Sequence, residues 1–346
     1  MPAKIIKVNP KRPQISKIRE AAKLIRRGKL VAFPTETVYG LGANALNSAA
    51  VKKIFEAKGR PADNPLIVHI YDKEDLLFLA KDVPRVARKL TDKFWPGPLT
   101  IVLKKSEIVP NIVTGGLDTV AVRMPENKIA QLLIKEAGVP VAAPSANLSG
   151  RPSSTTAKHV LEDLGKKVDL IIDGGKTKIG IESTVIDLTR KVPVLLRPGG
   201  VTLEVLRKTI GRVAVHPAVE GKRISSAHRS PGMKYRHYSP HAKIILIEGR
   251  SDKVNDEISK LLKLFRAQRK RVGILSTQKR NLQRSDLTKY LGASHAKIAV
   301  NLFEAFREFD AKKIDVVLAW GISRAGLGLG IMNRLSKAAY KRIKVQ

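Results

Sequence analysis

The 346-residue chain contains no cysteine. Disulfides, cysteine-ligated iron–sulfur clusters, thiolate zinc sites and cysteine nucleophiles are therefore all excluded. Acidic residues are scarce too, with 30 Asp+Glu facing 65 Lys+Arg for a formal charge of +35. Aromatic residues make up only 5%, too few to interleave with the cations as a base-stacking platform requires. Charges or turn residues interrupt every apolar run well short of the roughly 18 residues of a membrane span. The start, Met1-Pro-Ala-Lys-Ile-Ile-Lys7, has no apolar signal region. The expectation is a soluble, cytoplasmic protein with no membrane association.

What the chain does have is an ordinary globular hydrophobic fraction of 43%, and a length that suits roughly two or three domains of about 150 residues. The positive charge is spread out. From His241 onward there are 23 Lys+Arg against 9 Asp+Glu, and before it 42 against 21. Such a surplus attracts phosphate in nucleic acid, nucleotides or anionic lipid without choosing among them. It fits weak RNA binding, and equally the solvated, charge-rich surface of a thermophile.

Up to about Arg212, helical-period stretches alternate with short β-rich runs, the pattern of an α/β or α+β domain. Strands are predicted near residues 30–33, 66–71, 99–103, 119–124, 139–143, 170–173, 183–188 and 194–197. Helices are predicted near 15–27, 49–57, 84–93, 129–136 and 201–210. From Val213 to Pro240 the pattern dissolves into Pro, Gly, Ser, His and Arg, which reads as a linker. Beyond it, strands near 243–248, 271–276 and 316–320 alternate with helices near 254–266, 302–309 and 331–341, predicting a small parallel sheet of Rossmann-like topology. The expected organisation is thus 1–212, a linker 213–240, and 241–346.

Polar residues crowd the predicted strand ends, where α/β proteins place ligands. Phe33-Pro-Thr-Glu-Thr-Val-Tyr-Gly-Leu-Gly42 carries hydroxyls into two glycines that would let backbone approach a substrate. A tight turn capped by threonine accounts for it equally well. In Lys58-Gly-Arg-Pro-Ala-Asp-Asn64, Gly59 ends a helix and prolines stiffen an exit loop presenting two cations suited to phosphate. His69 stands in an apolar strand, where histidine is most often structural. Arg123 ends the strand Thr119-Val-Ala-Val-Arg123 on the same face as Thr119 and Ala121; if buried, it needs a carboxylate from the protein or from a substrate. Ser145-Ala-Asn147, Ser153-Ser-Thr-Thr156, Ser183 and Arg197 repeat the theme, though plain capping explains each by itself. No paired carboxylates and no Ser/His/Asp order accompany them. Together they suit an anionic, phosphate-bearing small molecule held by electrostatics and hydrogen bonds. The glycines of Gly326-Leu-Gly-Leu-Gly330 have the wrong spacing for a dinucleotide fingerprint and too little chain after them, so they read as a structural turn.

Lys58-Gly-Arg, Ser145-Ala-Asn147 and the Phe33–Gly42 segment together resemble the YrdC-like family, the threonylcarbamoyl-AMP synthases. Ser230-Pro-Gly-Met-Lys-Tyr-Arg-His-Tyr-Ser-Pro240 and Asn333-Arg-Leu-Ser-Lys-Ala-Ala339 resemble the longer, two-domain type. The resemblance implies a twisted, open mixed α/β sheet joined to a small Rossmann-like parallel α/β domain. It also implies a nucleotidyltransferase that combines L-threonine, bicarbonate and ATP, with Mg²⁺ carried on the phosphates, into threonylcarbamoyl-adenylate and pyrophosphate. A partner complex would transfer the product to position 37 of tRNA. By resemblance Thr37, His69, Arg123 and Ser183 belong to the threonine site. Arg60, Asn64, Thr119, Ser145, Asn147, Ser153, Arg197 and Tyr235 belong to the nucleotide site, with Lys58 and Arg60 in catalytic roles. Tyr235, His237 and Tyr238 would let the linker close over the cavity. The rival readings are a non-catalytic RNA-binding or ribosome-associated protein, and an ATP-dependent carbamoyltransferase acting on another amine or hydroxyl.

Overall fold

Apolar residues at spacings of three and four place Ile18, Ala21, Ala22 and Ile25 on one side of the helix Ile15–Arg26, and all four are buried. They pack with Ile129, Ala130, Leu133 and Ile134 of a second helix against Val31, Phe33, Val141, Leu170 and Ile172 of a sheet. Each large side chain so buried contributes about 1.5–3 kcal/mol. The computed structural model describes residues 2–219, 238–278 and 285–346, in two compact units drawn from Met1–Ser149 with Ser153–Tyr235 and from Gly150–Pro152 with Arg236–Gln346.

The strands of the first unit are β1 (Lys4–Lys7), β2 (Val31–Pro34), β3 (Tyr39–Asn44), β4 (Ile67–His69), β5 (Leu99–Lys104), β6 (Thr119–Arg123), β7 (Val141–Ala142), β8 (Leu170–Asp173), β9 (Thr184–Asp187), β10 (Val194–Arg197) and β11 (Ala214–Val215). Its helices are α1 (Ile15–Arg26), α2 (Ser48–Lys58), α3 (Asp75–Leu79), α4 (Arg85–Phe94), α5 (Asn111–Thr114), α6 (Lys128–Ala137), α7 (Ala157–Leu164) and α8 (Leu203–Ile210). Among the described residues the strands form one mixed sheet in the order β1-β8-β2-β3-β7-β4-β6-β5-β9-β10-β11. Its centre is the alternation of parallel β4/β6 and β5/β9 pairs with antiparallel β5/β6 and β9/β10 pairs.

β1, β3 and β11 are not legible from periodicity, because each is short or glycine-bearing and is recruited by a neighbouring strand. In β3, a Cβ on Gly42 would stand 2.8 Å from the Phe33 ring and 2.9 Å from Val141 Cγ1. The close approach that demands glycine there is therefore made by the protein's own side chains rather than by a substrate. β11 pairs with β10, and Val219 in the turn after it is buried. The first unit thus continues past residue 212, into the stretch read as linker. Tyr235 and His237 lie outside the described residues.

The second unit contains β12 (Lys243–Glu248), α9 (Ser251–Ala267), β13 (Val272–Ser276), β14 (Leu287–Tyr290), α10 (His295–Ala311), β15 (Val316–Trp320), α11 (Leu327–Ala338) and β16 (Ala339–Lys344). Its sheet is parallel throughout, in the order β14-β13-β15-β12-β16, with β15 seated between β12 and β13. The helix expected to run to residue 341 stops at Ala338, and the chain continues as an edge strand on β12; sheet pairing overrides helical propensity there. Gly326 makes the turn before α11 at φ +57°, and Gly328 and Gly330 lie inside the helix. Tyr238 is buried, stacked 5.4 Å from Phe303 with the Arg334 guanidinium 5.7 Å from its ring. It therefore belongs to the core of this unit and is not an element of a closing flap. No helix among the described residues is long and apolar enough to cross a membrane.

Candidate active site

Because β4 and β6 are parallel, both end at the same edge of the sheet, and their register sets His69 beside Arg123. The starts of β5 and β9 and the end of β10 reach that edge as well, through the alternating strand directions. His69, Arg123, Ser183 and Arg197, far apart in sequence, are thereby gathered along one rim. Arg197 donates from Nε to Ser183 O at 3.0 Å and from Nη2 to Ser183 Oγ at 3.1 Å, and Ser183 Oγ also meets Thr100 Oγ1 at 2.8 Å. A residue read as a nucleotide contact thus holds one read as a threonine contact.

Residues 35–38 form the turn of the β2–β3 hairpin, closed by Thr35 Oγ1, which donates to Val38 O at 2.7 Å and meets Thr37 Oγ1 at 2.8 Å. Thr37 is fully buried, and its carbonyl accepts from Gly180 N at 3.1 Å. The turn and the ligand readings of this segment are therefore compatible. The same turn carries Glu36, which sequence reasoning passed over. Glu36 is 1% exposed; its Oε1 accepts from Arg123 Nη2 at 2.5 Å and its Oε2 from Glu126 N at 3.1 Å. Arg123 also donates from Nε to Gly97 O at 3.3 Å. The carboxylate that a buried arginine requires is thus supplied by the protein, and the Nη1 edge has no acceptor among the described residues.

The second group surrounds the end of α2. Gly59 terminates that helix in the left-handed conformation, at φ +60°, and the buried Lys58 ammonium donates to Ser145 O at 2.5 Å and to Asn147 O. One ammonium therefore ties the two motifs together. Arg60 donates to Asn64 O at 3.2 Å and to Pro65 O at 3.0 Å, while the buried Asn64 Nδ2 finds no partner among the described residues. The β4/β6 register, extended two residues back from Ile67 and Ala121, sets Thr119 level with Pro65, which brings Thr119 to the Arg60 end of β6. Ser153 donates to Glu182 Oε1 at 2.5 Å, and Thr156 takes the capping role at α7.

His69 is buried, with its ring edge-on to Phe33 at 6.4 Å and no partner for Nδ1 among the described residues. Burial first, and the Arg123 cation second, push its pKa down from 6.5 to about 3, so the imidazole is neutral and can accept a hydrogen bond. Between about pH 6.5 and 3 the unfolded chain takes up a proton that the folded ring refuses. Stability is therefore expected to fall as pH falls through that window, by up to about 1.4 kcal/mol per unit from this residue. Denaturant unfolding of the wild type and of His69→Gln at pH 7, 5 and 4 should give a shallower decline in the variant; parallel curves would contradict the assignment.

Among the described residues no group of three His, Asp or Glu side chains could hold a metal ion. The polar residues at the rim are hydroxyls, amides, one imidazole and cations, and the two buried carboxylates beside them, Glu36 and Glu182, are hydrogen-bonded to Arg123 and Ser153. Such a set suits the binding of carboxylate and phosphate more than proton abstraction.

Two family models match the chain: one described as telomere recombination over residues 23–199, the other as the C-terminal domain of threonylcarbamoyl-AMP synthase over 201–340. A threonylcarbamoyl-AMP synthase of Pyrococcus abyssi is 58% identical over 330 residues, covering 95% of this chain and 96% of that protein. The chain belongs to the threonylcarbamoyl-AMP synthase family. A Bacillus subtilis synthase is 47% identical over 335 residues, covering 96% of this chain and 94% of its own length. The crystal structure of the P. abyssi Sua5 protein complexed with L-threonine superimposes with a TM-score of 0.95 at 57% identity, covering 99% of both chains. The likeness runs through both units, and the synthase reading prevails over that of a non-catalytic RNA-binding protein.

Proposed function

We propose that this synthase family member joins L-threonine, bicarbonate and ATP into threonylcarbamoyl-adenylate and pyrophosphate at the rim of its first unit. The observation that carries the reading is β6 itself. Thr119 and Arg123 are both buried and share one face with the small Ala121 between them, four residues or about 13 Å apart. An anion receptor at each end suits an elongated substrate pair: nucleotide toward Arg60, Asn64 and Thr119, amino acid toward Arg123, His69, Thr37 and Ser183. The threonine amine adds to bicarbonate with loss of water, and a carbamate oxygen then attacks the α-phosphorus as pyrophosphate departs. Lys58, Arg60 and Arg197 offset the charge that develops on the phosphates, and alignment provides the rest of the acceleration. Magnesium enters as part of the nucleotide substrate, held by its phosphates. Ser145, Asn147 and Ser153 complete the nucleotide contacts, and the product passes in the cytoplasm to a complex that modifies tRNA. The surplus of positive charge adds weak affinity for that RNA.

The test is incubation with ATP, Mg²⁺ and bicarbonate, with and without L-threonine, reading pyrophosphate and the nucleotide mass. Threonine-dependent pyrophosphate with a threonylcarbamoyl-adenylate mass is expected. ATP breakdown indifferent to threonine would discard the substrate and favour a carbamoyltransferase acting on another acceptor; no turnover would return the RNA-binding reading.

A further inference from the structure

Glu36 is the carboxylate that touches the proposed threonine site and has no part in the chemistry above. Its side chain bridges the last residue of β6, Arg123, through Oε1 and the Glu126 amide just beyond the strand through Oε2. Its own carbonyl accepts from Ile179 N at 2.8 Å, and the carbonyl of the next residue, Thr37, accepts from Gly180 N at 3.1 Å. One turn residue thus joins the end of β6 to the loop that leads to Ser183. Arginine has five donors in a rigid plane, and here Nη2 is committed to Glu36 and Nε to Gly97 O. The guanidinium cannot rotate without breaking both bonds, so the remaining Nη1 edge is held in one orientation, on a residue that the β4/β6 register sets opposite His69.

We propose that Glu36 is a positioning residue for L-threonine, fixing the Arg123 guanidinium so that its free edge receives the amino-acid carboxylate. The proposal rests on the reading that Arg123 takes this carboxylate. With the ion pair intact, the arginine approaches the substrate already oriented, and no side-chain freedom is lost on binding. Without it, the guanidinium can rotate toward other acceptors, and affinity for the amino acid falls while the nucleotide end of β6 is untouched.

The experiment is a double-mutant cycle on the full chain with Glu36→Gln, Arg123→Ala and the pair together, reading L-threonine affinity by titration calorimetry and separate KM values for threonine and ATP. The isosteric glutamine is chosen because it keeps an acceptor for the Glu126 amide, and Glu36→Asp is the second variant should glutamine fail to fold. Glu36→Gln is expected to weaken threonine at least tenfold, with the KM for ATP within twofold and kcat at saturating threonine near the wild-type value. Glu36→Asp should fall between the two. The double variant should be no worse than Arg123→Ala, because Glu36 acts through the arginine. Unchanged threonine affinity in a folded Glu36→Gln or Glu36→Asp protein, or equal losses for threonine and ATP that track a lowered Tm, would overturn the proposal. If Arg123→Ala binds threonine like the wild type, the underlying reading of Arg123 fails. If Arg123→Ala loses threonine and Glu36→Gln does not, the positioning role alone fails.

Discussion

Alanine at Lys58 is expected to lower threonine-dependent pyrophosphate release by about two to three orders of magnitude, and to destabilise the fold as well. The ammonium does two things. It is one of the cations proposed to offset charge at the phosphates, and removal of a single preorganised donor of that kind typically costs about 10²–10³ in rate. It also ties the end of α2 to the Ser145–Asn147 loop through two carbonyl acceptors. Truncation leaves those carbonyls without a donor they now have, at a cost of about 1–3 kcal/mol each if they stay buried. Arg60→Ala helps to separate the two effects, because the bonds from Arg60 to Asn64 O and Pro65 O close a loop of its own, four and five residues ahead, and do not tie α2 to a distant segment. Its rate should fall as far with a smaller change in Tm. Pyrophosphate assays and thermal unfolding of both variants decide the matter, and wild-type turnover in either would remove that residue from the mechanism.

Gly199→Ala is expected to be among the most damaging single-methyl changes in the first unit. A Cβ at this position would collide with Glu182 O and come within 2.5 Å of both Ser183 C and Thr184 N. All three are backbone atoms that cannot swing aside as the tip of a flexible side chain can. The cost should sit at or above the upper end of ordinary overpacking, about 3 kcal/mol, or roughly 6–12 °C in Tm for a unit of this size. The displaced segment carries Ser183 and so the two bonds from Arg197, so activity should be lost with stability. Gly138→Ala is the control. Gly138 caps α6 at φ +64° with nothing within 4 Å of the added carbon. It should lose only the left-handed backbone penalty of about 1–2 kcal/mol and keep its turnover. Equal Tm values for the two variants would show that steric clash at Gly199 has been misjudged.

The sequence by itself determined whatever is encoded over a few residues. The strands Leu170–Asp173 and Val194–Arg197 are marked by uninterrupted β-rich runs, and α2 ends where glycine permits a left-handed turn. Face alternation on β6 likewise placed Thr119 and Arg123 together, since side chains on a strand repeat every second residue. The need of a buried arginine for a carboxylate was legible as well, but not which carboxylate. Only the tertiary structure decided that Glu36 answers Arg123, that Lys58 reaches the carbonyls of Ser145 and Asn147, and that Gly42 exists to clear Phe33 and Val141. It also decided that the polar ends of β4, β6 and β10 meet the start of β9 at one rim, and that residues 339–344 leave a helix to pair with β12. Each of these depends on strand order and direction in the sheet. Order and direction are set by how the whole set of apolar faces is buried together, and no local window of the chain records that.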